Sequence, residues 1–325
     1  VDQQSFVNLA AIVAVINASI RSAVPITLGA LSGIVSERSG IVNIGIEGMM
    51  LSGAFAAFMA NVFLSNPDVP AFWQQQPIRL GLCILAAVIV GMLLALLHAL
   101  LSIRYKVDQI ISGTVINIFS LGITGYLYIG GQNTLGGLPN VINNPFSRDQ
   151  GLLFYLGAIL FDKGLLTYSM FFLVFLIGFA LFRTTWGLRT RSVGENPRAA
   201  DTLGINVYRL QYTNLAISGL LAGLSGAVLI LEGVSFERGM SNGRGFIALA
   251  VMIFGMWRPS RAFLGALLFG FATALQGQLQ FLGGEKVIPH QFVAMLPYIL
   301  TLVVLAGFVG RARPPAHVGQ AYEVE

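Results

Sequence analysis

Trp186-Gly187-Leu188-Arg189-Thr190-Arg191-Ser192-Val193-Gly194-Glu195-Asn196-Pro197-Arg198-Ala199-Ala200-Asp201-Thr202-Leu203-Gly204-Ile205 is a charged island between two long apolar runs. Within it, Asn196 has a side chain that caps helices and Pro197 suits a first helical position. Arg198 to Leu203 then make about two turns, and Gly204 suits a left-handed stop. So short and well-punctuated a helix reads as a handle for a partner or as an ordinary connecting turn. The apolar runs around it decide the fold class.

Of 325 residues, 55% are hydrophobic and 10% charged, and the mean hydropathy is +0.77. A soluble domain carries about 25% charged residues. Apolar segments fall at 6–35, 41–64, 80–103, 109–131, 165–182, 209–231, 245–256, 262–280 and 291–309. They are continuous rather than alternating, so they read as helices and not as barrel strands. The expected fold class is an all-α polytopic membrane protein with about nine or ten transmembrane helices. Residues 1–310 form one membrane domain and 311–325 a disordered polar tail, opened by Arg311-Ala312-Arg313-Pro314-Pro315.

The first segment is too long for one upright span and too short for two, and Arg21 and Pro25 interrupt it. Residues 6–20 are expected at the interface, with 23–35 crossing. Basic loops set the orientation. Arg104, Lys106, Arg183, Arg189, Arg191, Arg198 and Arg209 share one side, and the opposite loops are acid-balanced. The Asn196 helix and the C-terminus are then cytoplasmic. Nine crossings put the N-terminus outside; ten put it inside.

Two glycine-flanked segments interrupt the apolar pattern: Ser39–Gly48, and Gly239–Phe246 ahead of about twelve apolar residues. Twelve helical residues cover about 18 Å, short of a core about 30 Å thick. Such breaks are tolerated only where protein or a water-filled path surrounds them, and transporters build solute paths there. Glu47 is the acidic side chain deep in an apolar run, either functional or held in a structural pair such as one with Arg38. Asn43, four residues earlier, is expected on the same helical face. Asn117 adds polar atoms to 109–131, and Phe246 joins Asn43, Glu47 and Asn117 as a candidate for the solute pathway. Gly219, Gly223 and Gly226 read as a face for close helix packing, and His98 as an interfacial residue.

Catalytic chemistry has no visible basis. The single cysteine, Cys83, excludes an internal disulfide, and His98, His290 and His317 lack metal-ligand spacing. No phosphate loop or nucleophile motif occurs, so the chain is not expected to hydrolyse ATP or to hold a cofactor. The net charge of +5 is a topology signal before it is a sign of nucleic acid.

Ser36-Glu37-Arg38-Ser39-Gly40-Ile41-Val42-Asn43-Ile44-Gly45-Ile46-Glu47-Gly48-Met49-Met50 resembles the signature of ABC-transporter permease subunits of the branched-chain amino acid and simple-sugar group. Within it the chain is most similar to nucleoside and simple-sugar permeases. Gly194-Glu195-Asn196-Pro197-Arg198-Ala199-Ala200, with Leu203-Gly204-Ile205, resembles the loop that contacts the ATPase. Gly245-Phe246-Ile247-Ala248-Leu249-Ala250 and Phe254-Gly255 match a third block, while Met256 departs from the Gly or Arg frequent before the Trp.

The resemblance implies a type II-like importer permease fold and a cytoplasmic coupling loop at 183–208. It also implies a heterodimeric partner permease in the lipid bilayer, ATPase subunits that bind the ATP, and an external substrate-binding lipoprotein. No nucleic acid partner is implied. The alternative is a self-contained proton- or sodium-coupled carrier using Glu47.

Overall fold

The computed structural model describes residues 3–128, 140–146, 151–232, 236–281, 295, 299, 303 and 313–323. The helices in order are α1 (Gln3–Glu37), α2 (Ile46–Leu64), α3 (Ala71–Gln74), α4 (Gln76–Ala99), α5 (Gln109–Leu127), α6 (Leu152–Leu160) and α7 (Leu165–Arg183). They continue with α8 (Thr185–Glu195), α9 (Pro197–Thr202), α10 (Val207–Glu232), α11 (Arg244–Phe254) and α12 (Pro259–Phe281). A short antiparallel pair, β1 (Asn140–Ile142) and β2 (Lys163–Gly164), brackets α6. Among the described residues, six helices are long and apolar enough to cross a membrane, and α11 is a shorter apolar helix. The chain is therefore a multi-pass, essentially all-α membrane protein. The expected segment at 291–309 and most of the loop at 132–150 lie outside the described residues.

The expected interruption of the first segment is corrected: α1 passes through Arg21 and Pro25 as one helix of 35 residues. Proline removes a backbone donor, but hydroxyl groups and tight neighbours make such a residue tolerable in a span. Thr27 Oγ1 donates to the Ala23 carbonyl at 2.7 Å, and Ser225 Oγ of α10 donates to the Pro25 carbonyl at 2.7 Å. The helix is about 52 Å long. Residues 23–37 are buried on every side, so this half is the mast of the bundle, with α10, α11 and α12 against it.

Small residues set the closest packing. A Cβ on Gly223 would strike the Ala87 carbonyl, one on Gly91 would lie 2.5 Å from the Gly219 carbonyl, and one on Gly226 would strike the Met50 carbonyl. So α2, α4 and α10 meet backbone to backbone, as expected from the glycines of α10. Beyond them, Phe55, Phe58, Tyr128 and Phe236 form an aromatic cluster with ring centroids 5.2–6.2 Å apart.

Candidate functional site

The handle is built as its residues dictate. Asn196 leaves helical geometry at φ −152°, and its Oδ1 accepts from Ala199 N at 3.0 Å. Pro197 takes the first helical position, and Gly204 closes α9 at φ +77°. Pro197 and Ala200 face inward, whereas Arg198, Ala199 and Gly204 are exposed and Leu203 is 80% exposed. The preceding residues, expected as loop, are a helix too, so the handle is two helices bent at Asn196.

At the bend, Gly194 is buried against the turn that follows α1, where a Cβ would strike the Arg38 carbonyl. Glu195 lies at the surface, and its Oε2 accepts from Ala316 N at 3.2 Å. That contact belongs to the tail, whose expected disorder is corrected: residues 313–323 lie across the handle. His317 N donates to the Gly194 carbonyl and Gly319 N to the Gly40 carbonyl, both at 3.0 Å. The end of α8 has carbonyl groups that its own helix leaves unpaired, and Pro197 brings no N–H to them. The tail supplies donors instead. Tyr322 then buries its ring among Val193, Ala200 and Val207, and Lys106 Nζ meets Glu323 Oε1 at 2.6 Å. This contact holds the Glu323 carboxyl below its ordinary range.

The first break occupies residues 38–45, between α1 and α2. The N–H groups of Arg38, Ser39, Gly40 and Ile41 bond back to α1, and side chains from neighbouring helices reach groups further along. Val42 N donates to Gln109 Oε1 at 2.7 Å, and the Val42 carbonyl lies 2.8 Å from His98 Nε2. Gln211 Nε2 donates to the Ser39 carbonyl at 3.2 Å. Asn117 bridges the start of α2: its Nδ2 donates to the Ile44 carbonyl at 3.0 Å, and its Oδ1 accepts from Gly48 N at 2.7 Å. His98 is fully buried, and its other ring nitrogen lies 3.0 Å from Ser112 Oγ.

The second break, 236–243, is joined to the first by Glu47. Its Oε1 accepts from Gly243 N at 2.8 Å and its Oε2 from Gly245 N at 2.6 Å. An acidic side chain at a helix N-terminus is well placed electrostatically, and here the helix is α11. A Cβ on Gly245 would lie 2.6 Å from the Glu47 Cα, so glycine is required for this approach. Arg38 is not the partner of Glu47: its guanidinium donates to the Met256 and Trp257 carbonyls at 3.2–3.3 Å. Trp257 Nε1 donates to Glu37 Oε2 at 2.6 Å, fixing a turn in which Met256 and Trp257 both have positive φ.

Glu47 and Asn117 thus meet around the start of α2. Asn43 does not share their helix: it sits in the non-helical stretch, fully buried, with Nδ2 donating to Ser218 Oγ at 3.1 Å. Phe246 stands apart on α11, 49% exposed. Sequence reasoning passed over Gln109 and Gln211, although polar side chains opening or entering an apolar run are the signal for such roles. The tail contacts had only Tyr322 to announce them.

Comparison with known proteins identifies the family. The family described as "Branched-chain amino acid transport system / permease component" matches residues 15–305. The guanosine ABC transporter permease protein NupQ of Bacillus subtilis (strain 168) is 40% identical over 313 residues, covering 95% of this chain and 96% of the relative. The nucleoside ABC transporter permease protein NupC of Lactococcus lactis subsp. cremoris is 38% identical over 308 residues, covering 92% and 93%. A putative glucose ABC transporter permease protein, TsgC13 of Haloferax volcanii, is 32% identical over 333 residues, covering 95% and 97%. No solved structure matches. On both the family match and these identities, the chain belongs to the permease-component family of branched-chain amino acid transport systems.

Proposed function

We propose that this chain is the translocating permease of an ATP-driven importer that carries nucleosides into the cytoplasm. The handle is the single observation that carries the mechanism. Its outer surface presents Leu203 to solvent, while its bend rests through Gly194 on the turn leading into the first break. Force applied to α9 by separate ATPase subunits passes through α8 to residues 38–45, and from there through Glu47 to α11. Two packed arrangements of these elements would open the path alternately to each face. Nucleosides lead as the solute because two of the relatives above are named for them.

In this reading the basic end, with the handle and tail, is cytoplasmic and the N-terminus is outside. A second, related permease completes the path. The guanosine permease protein NupP of Bacillus subtilis, which occurs beside NupQ in that organism, is 28% identical to this chain over 309 residues. ATP is bound by the ATPase subunits, and a substrate-binding lipoprotein supplies solute outside. Specificity then resides chiefly in that lipoprotein, and the path through the bundle needs only weak polar contacts. The carrier alternative draws no support from Glu47, because both its oxygens are engaged by backbone amides.

The test is uptake of radiolabelled guanosine by cells expressing the complete transporter. Glu195→Ala with Arg198→Ala is expected to abolish both uptake and co-purification of the ATPase while the permease stays folded. Uptake that persists and follows the proton gradient would overturn the proposal.

A further inference from the structure

An open groove of about 630 Å³ runs between α7 and the start of α12. One wall is a single helical stripe of Phe171, Phe175, Phe179 and Phe182, and the other is formed by Pro259 and Phe263. Gly178 leaves its floor open, since a Cβ there would touch only Pro259, at 3.9 Å. Phe175 is 71% exposed and Phe179 51%, although both lie in a helix that is apolar enough to span a membrane. Such a wall suits hydrocarbon.

One end of the groove has the opposite chemistry. Arg183, Arg258 and Ser260, all exposed, line it where α7 leaves its apolar run. Behind them the guanidinium groups of Arg38, Arg191 and Arg258 converge on the Phe182 ring, at 5.7, 5.1 and 5.8 Å from its centroid. Among the described residues none of these four arginines has a carboxylate within 4 Å; the ion pair found there is Lys106–Glu323. Glu37 is engaged by Trp257, and Glu195 acts on Arg38 only from beyond contact distance. Concentrated positive charge with no carboxylate in contact among the described residues, at the mouth of a hydrocarbon slot, fits an amphiphile with an anionic head. Guanidinium groups match phosphate oxygens in both charge and geometry.

We propose that this groove binds an anionic phospholipid, its phosphate held by Arg183, Arg258 and Ser260 and an acyl chain lying along Phe171, Phe175 and Phe179. Basic recesses between membrane helices select such head groups on the cytoplasmic side. That the leaflet is the inner one rests on the orientation proposed above; the binding itself does not. Because Phe182 joins the head-group end to Arg38 and Arg191, the lipid braces the floor on which the handle stands.

Native mass spectrometry of the full chain, supplied with phosphatidylglycerol or with phosphatidylcholine of the same acyl chains, tests this. Phosphatidylglycerol is expected to be retained at least about tenfold better, since each arginine near a head group contributes about fivefold. Arg183→Gln with Arg258→Gln should remove that preference without changing the melting temperature in the absence of added lipid, and Arg189→Gln should preserve it. Equal retention of the two lipids by the unaltered chain, or a preference that survives the double substitution, would overturn the proposal. A photoreactive benzoylphenylalanine at Phe175, in the otherwise unaltered chain, gives a readout independent of the arginine variants' folding. A phospholipid adduct is expected. An adduct with a second polypeptide would make the groove a subunit interface and overturn the proposal.

Discussion

Glu47 carries a charge into the bundle and meets it with two backbone amides from the other half of the chain. Replacement by Gln keeps one acceptor but turns the second position into a donor facing Gly243 or Gly245. A buried amide left unpaired costs about 1–3 kcal/mol. Glu47→Gln is therefore expected to lower the melting temperature in detergent as well as uptake; an unchanged melting temperature with lost transport would make Glu47 part of the solute path instead. Gly194 and Gly204 sit in one handle yet fail for different reasons. Alanine at 194 pushes a methyl group into the Arg38 carbonyl, and overpacking of this kind costs about 1–3 kcal/mol. Alanine at 204 meets open space and is penalised only for its positive φ, about 1–2 kcal/mol. Uptake should fall much further with Gly194→Ala than with Gly204→Ala at equal expression, and the reverse order would remove the 38–40 turn from the force path.

At the scale of elements, the handle is held by a local cap and a distant strap. Asn196→Ala removes one hydrogen bond from α9, worth about 1 kcal/mol, and hydrogen exchange at 199–203 should quicken accordingly. Unchanged exchange there would mean that tertiary packing alone holds α9. The strap has a pH dependence. Burial, with Arg198 nearby, lowers the pKa of His317 from its ordinary 6.5, so the docked tail favours the neutral ring. Its contribution is complete above about pH 6.5 and is lost as the pH falls below that value, where the free tail takes up a proton first. The Lys106–Glu323 contact weakens in the same sense but stays intact over this range, because the hydrogen bond from Lys106 holds the Glu323 carboxyl below its ordinary 4.5. Protection of the amides of His317 and Gly319 should therefore decline between pH 7 and 5.5; protection that rises on acidification would contradict this. The same contrast explains what the sequence revealed. Asn196, Pro197 and Gly204 act on their immediate neighbours, as do the glycines flanking both breaks, so these features were legible. The continuity of α1 through Pro25 depends on Ser225, 200 residues away, and the tail depends on Gly194 and Gly40. Periodicity contains no trace of such partners. The polar residues of the apolar runs were visible as anomalies, but whether Asn117 faced a cavity or a backbone break was decided by the tertiary fold.

For the whole molecule, charge and architecture agree on one end. Arg38, Arg191 and Arg258 come from distant parts of the chain and gather beside the handle. Orientation is testable with thiol labelling, because Cys83 is the single native cysteine and is buried. In a Cys83→Ala background, Leu203→Cys should react with a membrane-impermeant maleimide in inside-out vesicles and resist it in intact cells. Reaction in intact cells would reverse the topology and end the coupling proposal.

The seam between α4 and α10 has a mechanical corollary. Where Gly91, Gly219 and Gly223 bring two main chains into direct apposition, there are no side chains to reshuffle and no room for water to enter. The pair behaves as a single plank, and any doorway through this subunit opens along some other edge of it.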